Sequence, residues 1–430
     1  MTDLSPAYIQ MLKDRANGTP LEGMGFILPS YDGYGISSLP ATISHWLGGP
    51  EVPGTLLAPE ILECFQARYK RVVLLLVDAL GYNQLVRLMG QGKAPFWTEA
   101  EKDGLFLALT SVSPSTTSSA LTTLWTGTNP AQHGVIGYEM WLKELSMVIN
   151  TILHMPISYT NDMGSLAKGG FIPATFTGQS HFGNLLGEAG IEAHAFMPSH
   201  IAGSGLSLMQ MEGVHVHGYA AESDLWLNLC RELNSRPADP KYIYAYWSLV
   251  DTLMHRYGTN DESLDSQFAL FSQALKQNLI DKLEDWLRED TLFLMTADHG
   301  SIPTPYYEEY NLYNHPDLRD MLVMNPTCEG RLPSLYIKPG MEQSVRQYFG
   351  AAWPGKFTLL SKQEVLDLQL FGPGTPNPGF LDRIGDLLAV SHGDAYLWWP
   401  AKVNKMLGRH GALHPDEMLV PLFSVNLKSN

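Results

Sequence analysis

Metal-binding types of side chain follow apolar, strand-like runs at three points of the chain, and a fourth such group stands near its C-terminal end. They are Asp78 after VVLLLV, Asp251 and His255 after YAYWSLV, Asp298 and His299 after TLFLMTA, and His410 in GRHG. Carboxylates and imidazoles together are ligands of zinc and similar divalent cations. Because open α/β sheets bind ligands at the carboxyl ends of their strands, this pattern predicts a shared metal site.

Each of these positions also has a plainer explanation when it is taken alone. An Asp at the end of a strand often caps the next helix. Asp251 and His255 are four residues apart and would share one face of a helical turn, but so would a capping Asp and a surface His. The adjacent Asp298, His299 and Gly300 are more specific, since Gly allows a close backbone turn. The set as a whole therefore favours a metal site more strongly than any member does.

A hydroxyl-rich segment, SPSTTSSALTTLWTG, lies between the first and second of these points. Hydroxyl side chains gather at turns and helix starts for local hydrogen bonding. The same segment at a helix N-terminus could also supply a metal-activated nucleophile, with the helix amides holding a phosphoryl anion. The candidate nucleophiles are Ser115, Thr116, Thr117, Ser118 and Ser119.

Two further histidines compete for the role of ligand. His414 lies close to His410, and His392 in SHGDAY is a weaker candidate. We interpret the remaining ones as packing or surface residues, for example His45, His194, His215 and His217.

Composition limits the possible partners. The chain has 430 residues, 28 Lys and Arg against 44 Asp and Glu, and a net charge of −16. This balance argues against a nucleic-acid surface or an anionic membrane as partner, and an anionic substrate would need positive charge from bound metal ions. The three cysteines are far apart and no long apolar run is present, which together predict a reducing, cytoplasmic location without a membrane span.

Apolar runs alternate with helical patterns over much of the chain. We expect strands near 71–77, 105–110, 191–197, 242–249 and 291–296, each followed by a helix or a turn. This rhythm predicts an α/β fold with a doubly wound, mostly parallel sheet. It is lost over residues 302–390, which we interpret as a smaller inserted lobe, with the core domain formed by residues 1–301 and 391–430.

The ordered motifs VDAL, SPSTT, TGTNPAQHG, VDTLMHRYG, TADHG and RHGALHPDEMLVP resemble the alkaline phosphatase superfamily. Within it, the chain is similar to the type I phosphodiesterase/nucleotide pyrophosphatase family, over about residues 71–135, 181–300 and 385–422. The resemblance implies an alkaline phosphatase-like core and a site for two divalent cations, usually zinc, with manganese as the other option. The implied substrate is a small anionic phosphoester, which could be a nucleotide.

The resemblance also implies a role for each matching residue. Thr117 would be the nucleophile, because the family's Pro-Thr-x-Thr motif falls on residues 114–117. One metal would be held by Asp78, Asp298, His299 and the Thr117 oxygen, and the other by Asp251, His255 and His410.

One departure from the expected pattern is Ala120, where the resemblance leads us to expect an Asn that holds a phosphate oxygen. The expected activity is hydrolysis of a phosphodiester or nucleotide pyrophosphate through a Thr117 phosphoryl-enzyme. A phosphomonoesterase or phosphomutase of the same superfamily is the alternative enzyme, and a metal-stabilised binding protein without turnover is the non-enzymatic alternative. The oligomeric state is left open.

Overall fold

The computed structural model describes residues 5–159, 162–235 and 239–428. Within these ranges the strands, in chain order, are β1 (Arg71–Val77), β2 (Leu105–Thr110), β3 (Glu139–Leu142), β4 (Met147–Asn150), β5 (Met155–Pro156), β6 (Glu192–Pro198), β7 (His215–Tyr219), β8 (Lys241–Trp247), β9 (Thr291–Thr296), β10 (Ile302–Pro303), β11 (Thr327–Glu329), β12 (Leu332–Leu335), β13 (Phe357–Ser361), β14 (Leu387–Ser391), β15 (Gly408–Arg409) and β16 (Leu419–Val425).

The α-helices of the same ranges connect these strands or cover the sheets. They are α1 (Ser5–Asp14), α2 (Leu39–Leu47), α3 (Pro59–Leu62), α4 (Tyr82–Gly90), α5 (Pro95–Ala100), α6 (Thr117–Thr126), α7 (Pro130–His133), α8 (Phe182–Glu188), α9 (Gly205–Gln210), α10 (Glu222–Asn234), α11 (Leu249–Tyr257), α12 (Glu262–Asn278), α13 (Asp285–Glu289), α14 (Pro316–Met321), α15 (Glu342–Ala352), α16 (Lys362–Asp367), α17 (Phe380–Arg383) and α18 (Pro415–Met418). Each of these helices is too short or too polar to cross a bilayer.

The central sheet has the strand order β2-β16-β9-β1-β8-β6-β7. Its neighbouring strands run parallel, except that β16 is antiparallel to both β2 and β9. The expected α/β fold with a mostly parallel, alkaline phosphatase-like sheet is therefore confirmed.

Strand β1 lies at the centre of this sheet and is buried along its whole length. Its apolar sequence suits a strand that has other strands on both sides and helices on both faces. Val77 pairs with Trp247 of β8, and Leu76 pairs with Thr296 of β9. Because the three strands are parallel and in register, their carboxyl ends lie side by side.

A second sheet has the order β13-β14-β12-β11-β3-β4-β5. It combines strands of the predicted lobe, between residues 327 and 391, with strands from residues 139–156. The two parts meet where Cys328 pairs with Glu139. The proposed limits 1–301, 302–390 and 391–430 stay a prediction, and the chain ends that they include, residues 1–4 and 429–430, lie outside the described residues.

Candidate active site

The three strand ends at the centre of the sheet bring the three predicted aspartates together. Asp78 directly follows β1, and Asp298 lies two residues after the end of β9. Asp251 belongs to the first turn of α11, which begins just after β8. Buried parallel strands fix these positions, since the side chains are carried by the first residues beyond a rigid sheet.

The first group of candidate ligands is Asp78, Asp298 and His299. All three are buried, and the structure gives each a ligand atom within 4.8 Å of those of the other two. Nε2 of His299 lies 3.5 Å from Oδ1 of Asp78 and 3.4 Å from Oδ2 of Asp298. The hydroxyl of Thr117 lies 3.2 Å from the same Nε2 atom. The four residues expected to share one cation are thus brought together.

The second group adjoins the first. Oδ1 of Asp251 lies 3.2 Å from Nε2 of His255 and 3.8 Å from Nε2 of His410. The imidazoles of His299 and His410 stack with ring centres 3.7 Å apart, so that His299 lies between the two groups. Its ligand atom is also within 4.8 Å of those of Asp251 and His410.

The three imidazoles share one orientation. In each, Nδ1 lies within hydrogen-bonding distance of a backbone carbonyl, which can only accept, so Nδ1 carries the proton and Nε2 offers its lone pair to the site. Such second-sphere bonds are usual for histidines that bind metals. The carbonyl partners are Gly408 for His255 at 2.8 Å, Ser115 for His410 at 2.9 Å and Gly300 for His299 at 3.0 Å.

The carboxylates fit divalent cations as well. Oδ1 of Asp78, Oδ1 of Asp251 and Oδ2 of Asp298 are buried and have no hydrogen-bond partner among the described residues. Burial, and then the neighbouring Asp298 and Asp251, raise the pKa of Asp78 well above its ordinary value. Burial, and then His299 and His255, lower the pKa of His410, which keeps its imidazole neutral. Unpaired carboxylate oxygens beside neutral imidazoles form a donor set suited to zinc or manganese.

Thr117 is the hydroxyl residue of its segment that reaches the open side of the site. Thr117 is the first residue of α6. The first helical hydrogen bond of α6 runs from the Ala120 amide to the Thr116 carbonyl. The side chains of Ser118 and Ser119 are enclosed. The hydroxyl of Ser115 donates to the Ala412 carbonyl, at 2.8 Å.

The loop that carries His410 is fixed to the segment that carries Thr117. Ser115 and Gly411 form an antiparallel bridge. Gly411 has φ +121°, and a Cβ atom there would lie 2.6 Å from Cβ of Glu329. At Gly300, which follows the candidate ligand His299, a Cβ atom would lie 2.0 Å from the Asp416 carbonyl oxygen. Glycine is thus favoured after His410 by its positive φ and the close Glu329 side chain, and after His299 by the close backbone of Asp416.

The competing histidines lie apart from the ligands. His414 caps α18, where its Nδ1 accepts from the Asp416 amide. His392 lies by the second sheet, with Nε2 at 2.8 Å from the Thr358 hydroxyl. Ala120 is fully buried and packs in the apolar core.

Two residues of the site were not predicted from the sequence. The hydroxyl of Tyr246 donates to Oδ2 of Asp78. Glu329 of β11 bonds the Thr116 hydroxyl and accepts from the Tyr138 amide, and burial raises its pKa to about 8. Tyr246 could have been found by its place one residue before the end of the strand YIYAYW. No sequence signal places Glu329, because it belongs to the second sheet.

A cavity of about 240 Å³ opens over the ligands. Its polar lining residues include Asp78, Thr117, Asp251, His200 and Gln210. No Lys or Arg is among its lining residues, and its apolar wall is formed by Leu121, Ile152, Met197, Ile201, Leu206 and Met211. A second cavity, of about 390 Å³, lies at the start of β9 and the end of β16, on the edge of the sheet away from the site. None of its lining residues belongs to the site.

The two arginines next to candidate ligands in the sequence do not supply a cation here. The guanidinium of Arg409 is bonded to Thr304 and Asn404 and lies over the ring of Tyr396. Arg256 is exposed and lies over the neighbouring Tyr257 ring. Neither arginine therefore supplies positive charge to the cavity.

The mostly parallel sheet, with the Thr117 hydroxyl and two adjoining groups of Asp and His side chains beyond its strand ends, has the architecture of a hydrolase of the alkaline phosphatase superfamily. The family model described as type I phosphodiesterase/nucleotide pyrophosphatase matches residues 72–413, and the chain belongs to that family. Membership makes it an enzyme of the phosphodiesterase and nucleotide pyrophosphatase type.

Solved structures share the fold at low sequence identity. Human ectonucleotide pyrophosphatase/phosphodiesterase 5 is 17% identical, with a TM-score of 0.62, and the match covers 82% of this chain and 87% of that one. The murine protein is 16% identical with a TM-score of 0.61 and the same coverage. Phosphonoacetate hydrolase from Sinorhizobium meliloti 1021 is 16% identical with a TM-score of 0.59, over 82% of this chain and 89% of that one. No curated protein matches the sequence.

Proposed function

We propose that this enzyme hydrolyses a phosphodiester or nucleotide pyrophosphate bond through a phosphoryl group carried on Thr117. Asp78, Asp298, His299 and the Thr117 oxygen would hold one divalent cation, zinc or else manganese. Asp251, His255 and His410 would hold the second. Two such cations, when bound, activate a hydroxyl nucleophile and stabilise the charge on attacking and leaving oxygens.

The side chains and amides of the site have defined tasks in this reaction. The Thr117 oxygen attacks phosphorus, and the bond from phosphorus to the leaving alcohol breaks on the opposite side. The amides at the start of α6, which precede the first helical hydrogen bond from Ala120, would donate to the phosphoryl oxygens. Water then breaks the bond between phosphorus and the Thr117 oxygen. The buried Nδ1 bonds of His255, His299 and His410 hold these imidazoles in one orientation throughout.

The lack of Lys and Arg around the cavity is the observation that favours a diester substrate. A phosphodiester carries one negative charge, whereas a phosphomonoester is mostly a dianion at neutral pH, since its second pKa is about 6. Preference for the dianion needs an added cationic donor, and a hydrogen bond to a charged group contributes about 1.5–3 kcal/mol. A site without that donor should favour the diester.

The apolar wall of the cavity gives the substrate class a second feature. An ester with an apolar or aromatic group next to the phosphate would bury that group against Ile152, Met197 and Leu206. A nucleotide is one such substrate, and an inactive variant of murine ectonucleotide pyrophosphatase/phosphodiesterase 5 has been solved with AMP. Phosphonoacetate hydrolase has been solved with phosphonoacetate, a small polyanion for which this cavity has no Lys or Arg among its lining residues.

The test compares an aryl phosphodiester with the aryl phosphomonoester that has the same leaving group, with zinc present. We expect kcat/KM for the diester to be higher by about tenfold or more, which corresponds to about 1.4 kcal/mol. A clear preference for the monoester would refute the diester assignment and favour a phosphatase or a mutase. Absence of turnover on both esters in zinc-loaded protein would favour a binding protein.

The nucleophile is tested separately. Thr117→Ala should lower kcat by about 10⁴-fold or more, since loss of a nucleophile removes the whole reaction route. Thr116→Ala is the matched control, because this neighbouring hydroxyl is bonded to Glu329 rather than open to the cavity. If Thr116→Ala abolished turnover and Thr117→Ala did not, the assignment would be wrong by one residue.

A further inference from the structure

Two histidines and a glutamate form a cluster at the edge of the central sheet opposite the active site. His194 lies near the start of β6, and His217 lies in β7, the edge strand beside it. Glu232 belongs to the last turn of α10, which packs near both strands. Because β6 and β7 run parallel to β8 and β1, this cluster lies towards the amino ends of the strands, whereas the candidate active site lies beyond their carboxyl ends.

The geometry of this cluster is that of a set of ligands. His194, His217 and Glu232 each have a ligand atom within 4.8 Å of those of the other two. Nδ1 of His194 lies 3.1 Å from Nε2 of His217. The His194 side chain is only 7% exposed, and its Nε2 atom has no hydrogen-bond partner among the described residues. That atom lies 3.5 Å from Oε1 of Glu232 and 3.6 Å from Oε2 of Glu192.

The charges around this cluster also suit a cation. Burial lowers the pKa of both His194 and His217, so both imidazoles are neutral. When Nδ1–H of His194 donates to Nε2 of His217, Nε2 of His194 keeps a free lone pair, and His217 joins the ion by giving up that hydrogen bond. Hydrogen bonds from Lys241 and Ser235 outweigh burial and hold the pKa of Glu232 below its ordinary value. Glu232 is therefore a carboxylate at neutral pH. It lies beside Nε2 of His194, which has no hydrogen-bond partner among the described residues.

The buried Lys241 does not fill this role. Its Nζ atom lies 2.6 Å from Oε1 of Glu232, 2.7 Å from the Ser235 carbonyl and 2.8 Å from the Ser235 hydroxyl. Nζ also lies 3.0 Å from the Glu232 carbonyl, so the three protons of the ammonium group are shared among four acceptors. Lys241 thus neutralises part of the acidic charge but leaves Nε2 of His194 without a partner.

We propose that His194, His217 and Glu232 bind a divalent transition-metal ion such as zinc, at a site separate from the catalytic cations. Two imidazoles and one carboxylate form a usual protein set for zinc, with water completing four ligands. His217 and Glu232 are partly exposed, which gives the ion and its water access from solvent. The ion would join the exposed edge strand β7 to β6 and to α10, so its role is structural.

The experiment measures bound metal in chelator-treated protein dialysed against zinc, with equal concentrations for every variant. His217→Ala should bind one equivalent fewer than wild type and keep diester turnover. His45→Ala is the matched control, because His45 is an exposed histidine on α2 with no other candidate ligand described beside it, and it should bind as much zinc as wild type. His410→Ala, in contrast, should lose metal together with turnover, which separates this site from the catalytic one.

A second variant places the ion at residue 217 directly. His217→Cys supplies a thiolate, which is also a zinc and cobalt ligand, so it should regain the equivalent that His217→Ala loses. With cobalt in place of zinc, this variant should show a thiolate-to-cobalt charge-transfer band in the near ultraviolet that wild type lacks. Equal metal content in wild type and folded, active His217→Ala, or a His217→Cys protein that shows no such band, would overturn the proposal.

Discussion

Replacement of Tyr246 by Phe tests whether Asp78 binds a metal ion. The hydroxyl of Tyr246 donates to Oδ2 of Asp78, while Oδ1 of Asp78 faces His299. Tyr246→Phe removes this donor from a buried carboxylate, and a hydrogen bond to a charged group contributes about 1.5–3 kcal/mol. Since 1.4 kcal/mol is a factor of ten in an equilibrium constant, the affinity for one metal equivalent should fall by about 10- to 100-fold.

The loss should depend on pH in a defined direction. The bond from Tyr246 lowers the pKa of Asp78, which burial, Asp298 and Asp251 raise. Tyr246→Phe therefore raises that pKa further, and a proton competes with the cation for the carboxylate over a wider range of pH. The difference in affinity between wild type and variant should be largest in acid and should shrink as the pH rises.

The assay is competition for zinc against a chromogenic chelator at several pH values, followed by turnover with excess zinc. Tyr244→Phe is the matched control, because it removes the same atom two residues earlier on β8, where the Tyr244 hydroxyl is buried and has no hydrogen-bond partner among the described residues. Excess zinc should restore most of the turnover of Tyr246→Phe. Unchanged affinity in Tyr246→Phe, or an equal loss in both variants, would refute the reasoning.

Three other predictions follow from contacts around the site. His410→Ala should reduce metal content and turnover strongly, and His414→Ala should change neither, as elemental analysis and kinetics would show; the reverse result would refute the ligand assignment. Glu329→Gln should flatten the pH dependence of stability. The pKa of Glu329 rises from 4.5 to about 8 on folding, so wild type loses stability as the pH rises through this interval. A variant whose free energy of unfolding, measured by urea titration, keeps the wild-type slope with pH would contradict this. Glu417→Ala should destabilise the fold by about 3–5 kcal/mol, since it leaves the fully buried guanidinium of Arg331 without its partner; a change below about 1 kcal/mol would show that the pair is replaced by other contacts.

The centre of the sheet was predictable from the sequence because its strands are buried on both faces. Strands β1 and β9 are continuous apolar runs, and their polar successors Asp78 and Asp298 stand out at once. The order of the motifs then indicated the family, and the resemblance to that family implied the remaining candidate ligands. Localisation in the cytoplasm stays a prediction from composition.

Long-range pairing was not predictable in the same way. Nothing in the run MLVPLF shows that β16 enters the sheet antiparallel between β2 and β9. The strands of residues 139–156 are short and weakly periodic, and they join the second sheet only through contacts with residues far along the chain. Residues 395–399 belong to the predicted core range 391–430, and they pack with Tyr310 and the helices of the lobe. The proximity of His194 and His217 was not predictable, because these residues are separated in the sequence and meet only through the pairing of β6 with β7.

The place of β16 determines when during protein synthesis the site can form. Strand β2, which leads into the Thr117 segment, has β16 as its neighbour in the central sheet, and Thr110 pairs with Leu419. At about 5–20 residues per second, the ribosome needs roughly 15–60 s to add the residues between these two partners. During that time the nascent chain has Thr117, the proposed nucleophile, but lacks the strand that pairs with β2 beside the candidate ligands. The emerging polypeptide should therefore be catalytically silent until β16 has left the ribosomal exit tunnel.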